Sequence, residues 1–222
     1  DEFINMLKSD FVNLNKIVVG YDFKFGKDRA WDKHDLSHIF NGEVVIVDEF
    51  CFDGLGVHSS AIRRFLRDGD IYRANRLLGR EYSVIGKVIT GQGIGKKHLY
   101  ATLNLDITPY LAPCDGVYAT RTKIDEYTYN SITFVGYRLS TDGEFAIENH
   151  ILDGDIDKTP NSVRVCFIEW IRDNKKFDTL DELKKQISKD IVIAKNVAKS
   201  CDLSIDEISS HSRNLEGVYS ER

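Results

Sequence analysis

A chain of 222 residues, 42% hydrophobic and 11% aromatic, holds one large domain or two small ones with a real core. The formal net charge of -5 argues against a nucleic-acid binder, which would carry a basic face, but leaves a nucleotide ligand open, because a few local cations and backbone N–H groups hold phosphates. Cys51, Cys114, Cys166 and Cys201 lie far apart with no C-x-x-C, and there is neither a secretory signal nor an apolar run near the roughly 18 residues of a membrane helix, so free thiols, a cytoplasmic setting and no membrane partner are expected.

The chain begins at Asp1 in what already reads as helix, and an upstream portion is expected. Residues 2–12 place Phe3, Met6, Leu7 and Phe11 on one helical stripe. An apolar strand over 16–20, a helix near 33–40 and a second apolar strand over 43–47 follow, the alternation of a parallel, doubly covered sheet. Two strands are too few for such a sheet to stand alone, so this part predicts half of an α/β domain. Residues 61–78 have helical spacing with a break expected at Gly69.

The character changes at Gly79. From there to about Trp170, runs rich in Val, Ile, Thr, Tyr and Phe over 82–90, 116–122, 131–139, 145–152 and 162–170 alternate with turn residues, predicting an antiparallel barrel or sandwich of five or six strands. A charged turn at 172–176 leads to a helix that Asp178 or Thr179 caps, with Leu180, Leu183, Ile187, Ile191, Ala194 and Val197 facing the barrel. Residues 201–222 are polar and unpatterned and are expected as a tail.

Residues 86–105 carry the most chemical information. Gly91, Gly93 and Gly95 let backbone N–H groups approach an anion, and Lys96 adds charge. The segment is neither a Walker A loop, since Thr90 and Lys97 stand where glycine and Ser/Thr are needed, nor G-x-G-x-x-G, since Lys96 takes the last glycine position. On these residues alone a flexible hairpin fits as well as a phosphate cradle. Thr102 and Asn104, two apart, share a strand face and offer a hydroxyl and an amide. Taken alone, Glu148 is an ordinary solvated strand carboxylate and Arg172 a solvated turn residue.

Together these segments resemble the riboflavin kinases. Their glycine-rich loop leads into G-F-P-T-A-N-L, where this chain reads Leu99-Tyr100-Ala101-Thr102-Leu103-Asn104-Leu105, keeping the Thr and Asn but not the glycine, proline or alanine. Pro113 to Ala119 resembles the family's P-x-x-G-V-Y-A, Glu148 to Asp153 its E-x-H-x-L-D, and residues 163–177 its V-x-F-x-x-x-x-R-x-x-x-x-F. The family's G-x-x-P-T-F segment is not recognisable at 132–136. The resemblance covers about residues 80–200. It implies a barrel that phosphorylates riboflavin from ATP, with Glu148 as general base and Gly91, Gly93, Gly95, Lys96, Thr102 and Asn104 on the nucleotide. It further implies Mg2+ on Thr102 and Asn104, flavin against Arg172 and Phe177, and a structural or supporting role for His150.

The first 79 residues resemble a different family, the bacterial FMN adenylyltransferases. Gly20-Tyr21-Asp22-Phe23-Lys24-Phe25-Gly26 resembles their G-x-D-F-x-F-G, and Val57 to Arg63 their I-S-S-T-x-I-R, with Ser59, Ser60 and Arg63 matching the groups that hold ATP phosphate at a helix start. Taken alone, this string is an N-cap with a surface arginine. The upstream G-x-x-H-x-G-H motif is absent, so FAD synthesis is not expected from these residues. The expected architecture is a partial Rossmann-like α/β nucleotidyltransferase region over 1–79, then an antiparallel barrel with its C-terminal helix over 80–200, in the order of the bifunctional FAD synthetases. A non-catalytic flavin- or nucleotide-binding module is the alternative.

Overall fold

The computed structural model describes residues 2–11, 13–90, 100–154, 156 and 158–216, with side chains through residue 200. Contacts divide the chain after Val57 into two units. In the first, α1 (Glu2–Asp10) is followed by β1 (Lys16–Gly20), the short strands β2 (Lys24–Phe25) and β3 (Trp31–Asp32), α2 (Lys33–Ile39), β4 (Glu43–Val47) and a small hairpin, β5 (Cys51–Phe52) with β6 (Leu55–Gly56). β1 and β4 pair in parallel, from Lys16 opposite Glu43 to Gly20 opposite Val47, as the two apolar runs predicted. Successive strand residues face opposite ways, so Val19 enters a small core with Ile4, Phe25, Leu36 and Phe40 while Val18 stays 59% exposed. The Asp32 carboxylate accepts from the N–H groups of His34 and Asp35, and the Asp35 carboxylate accepts from the Asp32 N–H, a reciprocal cap that starts α2.

In the second unit α3 (Ser59–Arg67) and α4 (Ile71–Leu78) meet at Gly69, whose φ of +77° ends the first helix at the expected break. Six strands follow: β7 (Tyr82–Ile89), β8 (Leu103–Asp106), β9 (Gly116–Ile124), β10 (Tyr127–Tyr137), β11 (Phe145–Ile151) and β12 (Ser162–Arg172). They close into an antiparallel barrel in the order β10-β11-β8-β7-β12-β9. α3 and α4 belong to this unit: Leu66, Ile71 and Ala74 share the barrel's interior cluster with Val84, Tyr118, Val135 and Phe167. The Asn75 side chain fixes the join, donating to the Phe167 carbonyl at 2.9 Å and accepting from the Tyr82 N–H at 2.7 Å.

Part of the barrel interior is polar. Thr120, Thr122, Ser131, Thr133 and Asn149 are all 1% exposed or less. Their hydrogen bonds run from Thr120 to Ser131 (2.7 Å), Ser131 to Thr122 (2.8 Å), Thr122 to Asn149 (3.1 Å), Asn149 to Thr133 (2.9 Å) and Thr133 back to Thr120 (2.8 Å). The closed ring bonds every one of these five side chains, which is what makes polar groups tolerable in a low-dielectric core.

The last helix, α5, runs Leu180–Glu216 and packs Ala194, Ile191 and Val197 on the outer face of the barrel against Val117, Ala119 and Ile132. Thr179, not Asp178, supplies its N-terminal cap, accepting from the Glu182 N–H at 3.2 Å. Two expectations change here. Leu180, placed on the packed stripe by spacing, is 45% exposed, because it lies in the first turn, ahead of the packed part of the helix. The helix also runs through 201–216, expected as tail, since neither Gly nor Pro interrupts the sequence between Leu180 and Glu216.

Candidate active site on the outer barrel face

Alternation decides which side chains can meet. On β11, Ile147 and Asn149 point into the barrel, so Glu148 and His150 point out of it. On β8, Leu105 points in and Asn104 out. Strand register then aligns the outward residues. Ile89 pairs with Asn104, Asn104 with Glu148, Glu148 with Phe134, Phe134 with Val117, and Val117 with Arg172. One cross-strand row thus threads all six strands, and each of its members lines a single cavity of about 450 Å³. That volume suits a small-molecule site. Leu183, Ile187 and Asp190 of α5 line the same cavity.

Thr102, just ahead of β8, joins Asn104 on the cavity wall, and Phe177 lies on it as well. Five of the expected residues, Thr102, Asn104, Glu148, Arg172 and Phe177, are therefore brought together. Gly91, Gly93, Gly95 and Lys96 lie outside the described residues. The cavity sits on the outer wall of the barrel; the interior is filled by the apolar cluster and the hydroxyl ring.

Glu148 is partly buried, its side chain 27% exposed. Burial raises its pKa above the ordinary carboxylate value; the positive charge and hydrogen bond of Arg138 pull the other way, and Asp142 adds to the rise. Arg138 Nη1 stands 3.5 Å from Glu148 Oε1, and its Nη2 donates to Asp142 Oδ2 at 2.8 Å. His150 shares a hydrogen bond between its Nδ1 and the Ala101 carbonyl at 2.7 Å and packs its ring 5.2 Å from that of Tyr100. The Tyr100 hydroxyl in turn meets Ser188 Oγ on α5 at 3.0 Å. These bonds tie the chain just before β8 to both β11 and α5.

Arg172 is not the solvated turn residue that its local sequence suggests. Its Nε and Nη2 grip the carboxylate of Asp190, which is 1% exposed, at 2.8 to 3.1 Å. Its guanidinium carbon lies 5.8 Å from the Phe177 ring centroid. The Phe177 N–H donates to Ser140 Oγ at 2.9 Å and the Asn174 amide donates to the Tyr137 carbonyl at 2.7 Å, stitching the turn after β12 to the turn after β10.

Thr102 and Asn104 offer oxygen donors, the class that a hard divalent cation takes. Among the described residues no group of three or more His, Cys, Asp or Glu forms a cage. The donor set therefore fits a cation that draws most of its ligands from phosphate and water, as magnesium does in nucleotide sites.

The residues matched to the adenylyltransferase motifs fall on both units. Asp22 is exposed after β1, and Phe23 stacks on Phe25 with centroids 5.6 Å apart. Ser59 and Ser60 open α3, exposed like Arg63, and His58 makes no side-chain cap there. Sequence reasoning passed over Arg138 and Asp190. Arg138 follows the last residue of β10, in the turn whose fold brings it to Glu148, so strand alternation gave no signal for it.

The family model for riboflavin kinase matches residues 78–198. A bifunctional riboflavin kinase/FMN adenylyltransferase of Pseudomonas fluorescens is 31% identical over 204 residues, covering 89% of this chain and 65% of the relative. One from Haemophilus influenzae is 31% identical over 200 residues, covering 88% and 65%. The chain thus spans a little under two thirds of the length of these curated relatives. A crystal structure titled as a macrolide-efflux protein from Streptococcus pneumoniae aligns with a TM-score of 0.72 and 33% identity, over 82% of this chain and 60% of that one. No helix among the described residues is long and apolar enough to cross a membrane. With a family match over more than half its length, falling on the barrel that carries the cavity, this chain belongs to the riboflavin kinase family.

Proposed function

We propose that the cavity phosphorylates riboflavin, moving the γ-phosphoryl group of ATP to the ribityl 5′-hydroxyl to give FMN and ADP. The observation that carries this reading is the register row in which Asn104 and Glu148 are direct cross-strand partners, with Thr102 on the same wall. The Glu148 carboxylate takes the hydroxyl proton as that oxygen bonds to the γ-phosphorus; the bond from phosphorus to the β,γ-bridging oxygen breaks and ADP departs. A positioned carboxylate base contributes about 10²–10⁴-fold. Alignment of hydroxyl and phosphorus in one cavity supplies much of the rest. Thr102 and Asn104 hold the nucleotide end together with a divalent cation, magnesium in this reading, which supplies neutralisation of phosphoryl charge. Val117, Ile132, Phe134, Leu183 and Ile187 form an apolar wall suited to a flat isoalloxazine, with Arg172 and Phe177 at its edge.

Gly91, Gly93, Gly95 and Lys96 serve the ATP phosphates in this reading, as the family resemblance implies. Residues 1–79 correspond to part of an adenylyltransferase domain, with Asp22, Phe23, Ser59, Ser60 and Arg63 as its nucleotide-facing positions, and a longer parent protein also adenylylates FMN to FAD. Incubation with riboflavin, ATP and magnesium tests the central reading. FMN and ADP should appear in equal amounts; tight flavin binding without product would overturn it in favour of a binding module.

A further inference from the structure

We propose that Arg138 is a positioning residue for the phosphoryl-transfer base: anchored by Asp142, its guanidinium holds one oxygen of Glu148 and leaves the other unbonded for the incoming hydroxyl. The inference rests on Glu148 being the base. It adds a residue that neither the sequence motifs nor the register row identifies.

The anchoring is built into the turn between β10 and β11. The Arg138 N–H donates to the Glu144 carbonyl at 2.9 Å, and the Arg138 carbonyl accepts from the N–H groups of Thr141 at 3.0 Å and Gly143 at 3.1 Å. Asp142 is fixed by the same turn, its Oδ1 accepting from the Glu144 N–H at 3.1 Å. Against this frame Arg138 Nη2 makes its short bond, 2.8 Å to Asp142 Oδ2, while the 3.5 Å contact to Glu148 Oε1 is the long one. The turn, rather than the base, therefore sets where the guanidinium sits. Arg138 is itself a lining residue, its side chain 18% exposed and its Nε buried without a hydrogen-bond partner among the described residues.

Other charged groups line the cavity, but their contacts lie elsewhere. Arg172 is gripped by Asp190, His150 is bonded to the Ala101 carbonyl, and Lys175 lies 5.7 Å from the Phe177 ring. Among the described residues Arg138 is the hydrogen-bond partner of the Glu148 carboxylate. A neighbouring cation favours the ionised form of a carboxylate and a neighbouring anion disfavours it. Arg138 and Asp142 thus push Glu148 in opposite directions against a background of burial that disfavours ionisation.

The test is riboflavin phosphorylation by the full chain, with kcat and flavin KM measured separately for Arg138→Gln, Arg138→Lys, Asp142→Asn and Glu148→Gln. Arg138→Gln should lower kcat roughly 10-fold, as expected for a misaimed base, with flavin KM little changed. Arg138→Lys keeps a cation on the same turn and should retain more of kcat than Arg138→Gln. Asp142→Asn loosens the anchor of the guanidinium and should lower kcat with flavin KM again unmoved. An unchanged kcat in Arg138→Gln, or in Asp142→Asn should Arg138→Gln fail to fold, overturns the positioning role while leaving the base intact. Retention of full activity in Glu148→Gln would instead sink the base reading on which it stands.

Discussion

Two opposing influences meet on the Glu148 carboxylate: burial raises its pKa, and Arg138 restrains the rise. A base must be ionised to accept a proton, so activity falls as pH drops through that raised value. The acid limb is therefore expected at a higher pH than an ordinary glutamate would give, and a kcat/KM profile checks it. Glu148→Gln should lower kcat by about 10²–10⁴-fold with flavin affinity nearly intact, measured by turnover beside a fluorescence titration. Unchanged turnover would remove Glu148 from the base role. Thr102→Ala should raise the divalent-cation concentration needed for half-maximal rate; an unaltered metal dependence would argue against that ligand. At this scale the sequence displayed the groups but not their settings. Nothing local to Arg172 signals a buried carboxylate 18 residues further on, because the contact forms only when α5 folds back over β12.

Among the elements, α5 matters most to the site, since Leu183, Ile187 and Asp190 close one side of the cavity. Its attachment has an apolar part at Ala194 and an ionic part at Asp190, which accepts from Arg172 and from the Gln186 amide. Removing one member of a buried ion pair strands the other, so Asp190→Ala should cost about 3–5 kcal/mol in denaturant unfolding and weaken flavin binding as well. Thr179→Ala removes only a cap and should cost about 1 kcal/mol, with flavin binding unchanged. Helices were the most legible elements. Apolar spacing located α1, α2 and the α3–α4 pair, and Gly69 marked the break, because a helix records its burial pattern within its own sequence. The misplacement of Leu180 has the same origin: periodicity reports a face, not how far along that face a neighbour extends.

For the molecule as a whole, closure of the barrel creates both its hydroxyl ring and its cavity, on opposite sides of the same strands. Asn149 and Glu148 are consecutive, one bonded within the ring and the other in the site. Asn149→Ala would leave Thr122 and Thr133 each short of a buried hydrogen bond and should cost about 1–3 kcal/mol, read as a lowered unfolding midpoint. The chain's own sequence determined the strands and helices, the change of character at Gly79 and the motifs that carry Thr102, Asn104 and Glu148, because propensity, turn chemistry and side-chain alternation are local properties. Only the tertiary structure decided which face of each strand looks inward, which residues become cross-strand partners, and hence that six residues from six strands form one row on the outer wall. Alternation defines two faces without saying which is buried, and pairing between segments as distant as β7 and β12 is set by closure of the whole sheet.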